Sequence, residues 1–105
     1  MKKTTLTTLD QIKVNNFPHK ITCTVHGIER MEERGIEIQK AVESIKEINE
    51  KRLTGLKKIG QEMIIIDKER NISTVVAFIG ATLRIITVIK KSNVFVKKGT
   101  FIINL

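Results

Sequence analysis

The sequence is short of the residues that form cross-links and metal centres. Its 105 residues include a single cysteine, Cys23, so no internal disulfide can form. A lone thiol in a strand-like segment is more often a buried small apolar residue than a nucleophile. Since only two histidines accompany that cysteine, we expect no structural zinc site and no cofactor, although carboxylates remain available to complete a metal site.

Long apolar runs are also missing. The N-terminal segment MKKTTLTTLDQIKV begins with lysines but has no continuous apolar core, so it does not resemble a signal peptide. The longest apolar-rich stretch, STVVAFIGATLRIITVI, is interrupted by Gly80 and Arg84 and is too short to span a bilayer. We therefore expect a cytoplasmic protein with no membrane partner. The length fits a single domain over residues 1–105, with residues 1–5 as a flexible tail.

Tryptophan and tyrosine are absent, so any stacking on nucleic-acid bases would fall to the four phenylalanines or to arginine. Positive charge, in contrast, is abundant. The chain has 19 lysines and arginines against 11 acidic residues, which gives a net charge of +8. A charge of that sign on a short chain favours a polyanionic partner, such as nucleic acid or an acidic membrane surface.

The chain changes character near residue 60, from helical to strand-like patterns. Residues 27–34 predict a short helix that ends at Gly35, and residues 36–53 predict an amphipathic helix that ends at Thr54 and Gly55. The preceding ITCTV (21–25) is either a short strand or an extended lead into the first helix. Later apolar, β-branched segments predict strands at 61–67, 72–79, 82–91 and 94–105, the last as one strand or two about Gly99.

This segregation predicts an α+β fold with helices on one face of an antiparallel sheet. The short links between the strands favour a β-meander. RIITVI is apolar on both faces and should form a central strand. Four lysines near strand ends would line one rim of the sheet and, with Arg84, would bind nucleic acid: Lys90, Lys91, Lys97 and Lys98.

The segment HGIERMEERG (26–35) carries the chemistry of greatest interest. Four residues of helix advance the direction of a side chain by only about 40°, so His26, Arg30 and Arg34 share one face. Histidine transfers protons near neutral pH, and the planar guanidinium group binds phosphate with two hydrogen bonds. This face is therefore suited to cleaving RNA without a metal. Two plainer interpretations remain open, namely phosphate binding without chemistry and a solvated helix face on which His26 only caps the helix.

The segment TVHGIERMEERGIEIQKAVESI, followed by the RIITVI strand, resembles a family of small bacterial and phage domains of uncharacterised function. That family is similar to RelE-like and BrnT-like toxins and, more widely, to the barnase/EndoU/colicin/RelE-like ribonucleases. The resemblance covers residues 24–91. It implies two N-terminal helices packed on a twisted antiparallel sheet of about four strands. It also implies active-site positions at His26, Arg30, Arg34 and Thr87.

The resemblance favours a toxin-like, metal-independent endoribonuclease that cleaves RNA by attack of the 2′-hydroxyl and is encoded on a phage or mobile element. Its partners would be RNA and an antitoxin or immunity protein. The alternative is a non-catalytic basic protein, namely a nucleic-acid-binding protein, a regulatory factor, or a phage inhibitor of a host complex. A helix-turn-helix about Gly35 is a weaker variant of that alternative. The terminal segment GTFIINL also suits a sheet edge that pairs with a second copy as a homodimer.

Overall fold

The computed structural model describes residues 5–105, which form strands and helices of an α+β fold. The elements in chain order are β1 (Leu6–Val14), β2 (Phe17–Thr24), α1 (Val25–Glu33), α2 (Ile38–Lys46), α3 (Glu50–Ile59), β3 (Met63–Asp67), β4 (Ile72–Ile79), β5 (Thr82–Ile89) and β6 (Phe101–Asn104). Most of the expected flexible tail, residues 1–4, lies outside the described part. Its last residue, Thr5, accepts a backbone hydrogen bond from Val25 at 3.0 Å.

The predicted arrangement of helices and strands was wrong. The helices are not N-terminal but follow β1 and β2, and the sheet is mixed and has six strands in the order β1-β2-β5-β4-β3-β6. The missed signal is the turn Asn15-Asn16, where both residues have positive φ, 51° and 66°. Asparagine tolerates this left-handed conformation better than most residues, so it can close a tight hairpin. The alternating apolar residues Ile12 and Val14 bury one face of that hairpin.

The predicted helix over 36–53 is two helices. The side chain of Asn49 caps α3 by accepting a hydrogen bond from the backbone N–H of Arg52 at 2.8 Å, so a new helix begins after this residue. Thr54 does not end the helix, because its hydroxyl donates to the carbonyl of Glu50 within the helix, at 2.9 Å. The helix ends instead at Gly60, which is left-handed (φ 69°). The predicted first helix is confirmed as α1, which begins two residues earlier than expected.

The later strands agree more closely with the prediction. β3, β4 and β5 form the expected antiparallel meander, and β5 lies inside the sheet between β2 and β4. The antiparallel prediction fails at two places, because β2 pairs with β5 and β3 pairs with β6 in parallel. Of the segment 94–105, only β6 forms a strand. It lies at one edge of the sheet.

All three helices pack on the sheet and bury one core with it. α3 packs on β1, α2 on β1, β3 and β4, and α1 on β2 and β5. Cys23 is fully buried in this core, as predicted, and burial raises the pKa of its thiol. None of the helices between residues 5 and 105 combines the length and apolar character needed to cross a membrane.

A buried carboxylate ties α2 to the turn after β3. Asp67 is 2% exposed and accepts hydrogen bonds from the Ser44 hydroxyl at 2.6 Å and from the Arg70 guanidinium at 2.8 Å. Arg70 also donates hydrogen bonds to the carboxylates of Glu43 on α2 and of Glu47, the residue that follows that helix. The network satisfies a charge that burial alone would destabilise.

Candidate functional site: an arginine-lined cleft

A cleft forms where the parallel pairing of β2 with β5 stops. Cys23 is the last residue of β2 that pairs with β5, opposite Ile85. The chain then leaves the sheet at Thr24 and enters α1, so the following residues of β5 have no strand beside them on that side. Crevices at the carboxyl ends of parallel strands, next to the N-terminus of the following helix, are common ligand sites in open sheets.

The start of α1 is fixed by two close contacts with β2. Thr24 caps the helix, because its hydroxyl oxygen accepts a hydrogen bond from the backbone N–H of Gly27 at 2.9 Å. Gly27 also approaches the strand so closely that a Cβ atom there would lie 3.0 Å from both the Cys23 Sγ and the Thr24 Oγ1. These contacts set the position of the helical face that carries His26.

The structure brings together four residues singled out from the sequence: His26, Arg30, Arg34 and Thr87 all line one cleft of about 230 Å³. We call it the arginine cleft. Its remaining lining residues are Thr24, Gly27, Met31 and Ile86. His26, Arg30 and Arg34 are exposed, and Thr87 is half-buried. This arrangement agrees with the geometry that the helical spacing predicts, while the catalytic roles of the four residues stay predictions.

The two guanidinium groups of the arginine cleft have no carboxylate partner among residues 5–105. The ion pairs in that part of the chain involve Lys46 with Asp10, and Arg70 with Asp67, Glu43 and Glu47. None of the three glutamates of α1 therefore forms an ion pair with Arg30 or Arg34. Both arginines are available to an anion entering the cleft.

An irregularity in the sheet shapes the β5 side of the cleft. Val75 pairs with Thr87 and Val76 pairs with Ile85, so Ile86 is an extra residue with no partner on β4. A bulge of this kind changes which face each following side chain occupies, and bulges are frequent beside functional sites. Without it, the alternation of β5 would bring Thr87, and not Val88, to the position now buried in the core.

The residues predicted to bind nucleic acid are dispersed. Arg84 is half-buried, its Nε is buried without a hydrogen-bond partner among the described residues, and it does not line the arginine cleft. Lys90 lines a second cavity of about 330 Å³ with Gly35, Lys40 and Asn71. The exposed Lys91 lies beside it in the chain.

Lys97 and Lys98 are also exposed, but they precede β6, and β6 runs parallel to β3. Since β5 is antiparallel to β4, which is antiparallel to β3, the end of β5 and the start of β6 lie at opposite ends of the sheet. The four lysines therefore do not share one rim, contrary to the sequence-based expectation.

A larger cavity, about 620 Å³, was missed from the sequence. It lies at the other end of β2 and contains the second histidine, His19, and Lys57 of α3. The Asn15-Asn16 turn is the signal that could have pointed to it, because it predicts the hairpin on which His19 lies. The pairing with a lysine 38 residues later depends on tertiary packing.

No protein-family model, curated protein or solved structure matches the chain. The resemblance to toxin-like ribonucleases therefore stays a prediction from the motif. Within residues 5–105, no group of three or more histidine, cysteine or acidic side chains is placed to hold a metal ion.

Proposed function

We propose that the protein is a toxin-like, metal-independent endoribonuclease whose active site is the arginine cleft. The observation that carries the proposal is the meeting of the His26 imidazole, two guanidinium groups and the Thr87 hydroxyl in a single cleft. Neither guanidinium group has an ion-pair partner among residues 5–105. The net charge of +8 adds a general attraction for a polyanionic substrate. RNA carries its own nucleophile in the 2′-hydroxyl, so the protein needs only acid–base and phosphate-binding groups.

In the proposed reaction, His26 accepts the proton of the 2′-hydroxyl as that oxygen attacks the adjacent phosphorus. The bond from phosphorus to the 5′-oxygen breaks, and the leaving oxygen takes a proton from water. The products are a 2′,3′-cyclic phosphate and a 5′-hydroxyl, and His26 returns its proton to solvent. Arg30 and Arg34 bind the phosphate oxygens, on which charge develops in the transition state. Thr87 donates a hydrogen bond that orients the phosphate.

The second cavity extends the proposed substrate path. Arg34 lines the arginine cleft and the next residue, Gly35, lines the second cavity, so the two are neighbours along the chain. Lys40 and Lys90 in the second cavity, which Glu37 and Arg70 also line, bind the phosphate of an adjoining nucleotide. In this proposal Lys90 assists substrate binding and takes no part at the scissile phosphate, and the substrate is single-stranded RNA long enough to reach both cavities.

Cleavage of a fluorophore-labelled single-stranded RNA in the presence of EDTA tests the proposal. Wild-type protein should generate ends with a 2′,3′-cyclic phosphate, and the DNA of the same sequence should stay intact because it lacks the 2′-hydroxyl. His26→Ala should lower the cleavage rate by about 10²-fold or more, since general base catalysis contributes about 10²–10⁴-fold. Arg52→Ala, an exposed arginine on α3 outside the cleft, should cleave like the wild type.

The same variants should be expressed in a bacterial host, where growth is measured. The purified proteins should also be assayed for RNA cleavage with and without translating ribosomes. The toxin-like character predicts that wild-type protein stops growth and that His26→Ala does not. An RNA cut by wild type and His26→Ala at equal rates would assign the activity to a contaminant or to another site. Intact RNA under every condition, with normal growth, would end the nuclease proposal.

A second candidate function is binding of nucleic acid without cleavage. The observation in its favour is that His26, Arg30 and Arg34 are exposed to solvent. Electrostatic stabilisation of a transition state is stronger in a site from which water is excluded. Under this alternative, regulation or inhibition of a host complex would proceed through phosphate contacts alone. Wild type and His26→Ala would then bind RNA equally, with intact RNA recovered from both.

A further inference from the structure

Another cavity with a histidine in its wall lies between the β1–β2 hairpin and α3. We call it the His19 cavity. Its volume is about 620 Å³, within the range of about 300–1,000 Å³ that is usual for small-molecule sites. Its apolar wall is formed by Val14, Phe17, Pro18 and Ala81. Phe17 is 66% exposed, so an aromatic ring stands at a cavity wall open to solvent.

The polar wall carries an unusual pair. The buried His19, 4% exposed, has its Nε2 at 2.6 Å from the Nζ of Lys57 and its Nδ1 at 3.0 Å from the carbonyl oxygen of Phe17. An ammonium group can only donate and a carbonyl can only accept. With the Lys57 ammonium group as the donor, the imidazole Nε2 accepts its hydrogen bond, and the proton on Nδ1 is donated to the Phe17 carbonyl. This contact holds the ammonium group at the cavity while leaving it two further protons to donate.

The charge of the cavity has one sign. Lys57 and Lys58 both contribute to the lining, and no acidic residue within residues 5–105 does. Two ammonium groups beside an apolar wall are complementary to a ligand with an anionic end and an apolar body. A fully polar anion such as free phosphate would leave the apolar wall unmatched, and a neutral hydrocarbon would leave the lysines unpaired.

The cavity is separate from the arginine cleft. His19 lies near the start of β2 and Thr24 at its end, roughly 15–20 Å apart along the strand. The two share no lining residue. A ligand bound here would not occupy the proposed catalytic groups, so this inference stands apart from the nuclease proposal.

We propose that the His19 cavity binds a small molecule with a flat or aliphatic apolar body and a single carboxylate. The carboxylate pairs with Lys57, which His19 holds in place, and Lys58 adds a second positive charge. The apolar body lies against Phe17, Pro18 and Val14. Such a ligand gains both from the apolar area that it buries and from a charge-assisted hydrogen bond in a partly desolvated site.

Titration of the full chain with naphthalene-2-carboxylate tests the proposal, with naphthalene-2-carboxamide as the neutral analogue of nearly the same shape. Backbone amide shifts from ¹H–¹⁵N NMR should change for Asn15, Phe17, His19, Thr54 and Lys57. The carboxylate should bind at least tenfold more tightly than the carboxamide. Equal affinities for the two compounds, or shifts confined to residues outside the cavity, would overturn the proposal. Both measurements use the wild-type protein, so misfolding of a variant cannot affect them.

Matched lysine variants then test the assignment of the charge. Lys57→Met keeps the aliphatic stem and removes the ammonium group, and should weaken the carboxylate at least fivefold while leaving the carboxamide unchanged. Lys51→Met is the control on the same helix, since Lys51 is exposed and does not line the cavity. Lys58→Met should weaken the carboxylate by a smaller factor. Carboxylate binding that survives in both cavity variants would contradict the role of the lysines.

Discussion

Gly27 of α1 and Cys23 of β2 lie so close together that a Cβ atom on the glycine would come within 3.0 Å of the cysteine Sγ. Because Gly27 has no side chain, the helix approaches the strand without displacing either neighbour. The contact holds the start of α1 against the sheet at the point where β2 separates from β5. The position of His26 relative to β5 therefore depends on a residue that has no chemistry of its own.

The first prediction concerns that contact. Gly27→Ala should lower the free energy of unfolding by about 1–2 kcal/mol, because overpacking typically costs about 1–3 kcal/mol and alanine recovers part of this through helix propensity. Gly55→Ala is the matched control in α3, where a new Cβ atom would meet nothing within 4 Å. It should raise the free energy of unfolding by about 0.5–1 kcal/mol. Urea denaturation of both variants measures the difference, and a Gly27→Ala variant as stable as Gly55→Ala would show that α1 can shift away from the strand.

The second prediction concerns the pH dependence of stability through Asp67. Burial raises the pKa of this carboxyl, but hydrogen bonds from Ser44 and Arg70, together with the charge of Arg70, outweigh it and hold the pKa below its ordinary value. A carboxyl whose pKa is depressed in the folded state stabilises that state above its unfolded pKa, about 3.9, and the stabilisation is lost as pH falls through the folded value.

Asp67→Asn should therefore lower the free energy of unfolding at pH 7 by about 2–3 kcal/mol, since it removes charge-assisted hydrogen bonds to a buried group. Below about pH 4 the difference between wild type and variant should shrink as the wild-type carboxyl becomes protonated. Denaturation midpoints across this pH range measure it. Asp10→Asn, which affects an exposed ion pair with Lys46, should have a much smaller effect. A constant difference from pH 7 down to pH 2 would contradict the proposed linkage.

The third prediction separates phosphate contacts from general charge. The protein should bind 2′-O-methyl RNA, which cannot be cleaved, with an affinity that falls as salt rises. For single strands, the slope of log K against log salt changes by about 0.7 for each phosphate contact. Arg30→Ala and Arg34→Ala should each reduce the magnitude of the slope by about 0.7. Arg52→Ala should leave it unchanged, and equal slopes for all three variants would place the nucleic-acid contacts outside the arginine cleft.

The fourth prediction concerns the free edge of the sheet at β6. This strand pairs only with β3, and its Ile102 is 44% exposed. Unpaired edge strands with apolar side chains tend to pair with another chain. Sedimentation equilibrium should show dimers at high protein concentration, and Ile102→Lys should shift the equilibrium toward monomer. Leu6→Lys on β1, at the opposite edge of the sheet, is the control and should leave the equilibrium unchanged. Wild-type protein that stays monomeric at all concentrations would exclude pairing through β6.

The sequence predicted most reliably those features that depend on local patterns. The α1 helix and its end at Gly35, the meander of β3, β4 and β5, and the burial of Cys23 are all confirmed. Each follows from a repeat of apolar residues or from the conformational preference of one residue. The break between α2 and α3 was missed, because an apolar stripe continues across Ile48 and hides the cap at Asn49.

The fold arrangement could not be derived in the same way. The β1–β2 hairpin is signalled only by Asn15-Asn16 and by a short alternation of apolar and polar residues. These signals are weaker than the strand pattern of residues 63–89. The parallel pairing of β2 with β5 joins residues about 60 positions apart, and no local pattern in either strand specifies it. The hairpin was therefore missed because its local signals are weak, whereas the parallel pairings were missed because they join distant segments.

By itself, the sequence determined that His26, Arg30 and Arg34 share one face, because the period of a helix depends only on backbone geometry. Tertiary structure alone decided what that face meets. The departure of β2 from the sheet, the close approach at Gly27 and the bulge at Ile86 together bring Thr87 to the same cleft. The same is true of His19 and Lys57, whose contact exists only because α3 packs on the hairpin. Local spacing fixes directions along one element, whereas distances between elements depend on how they pack.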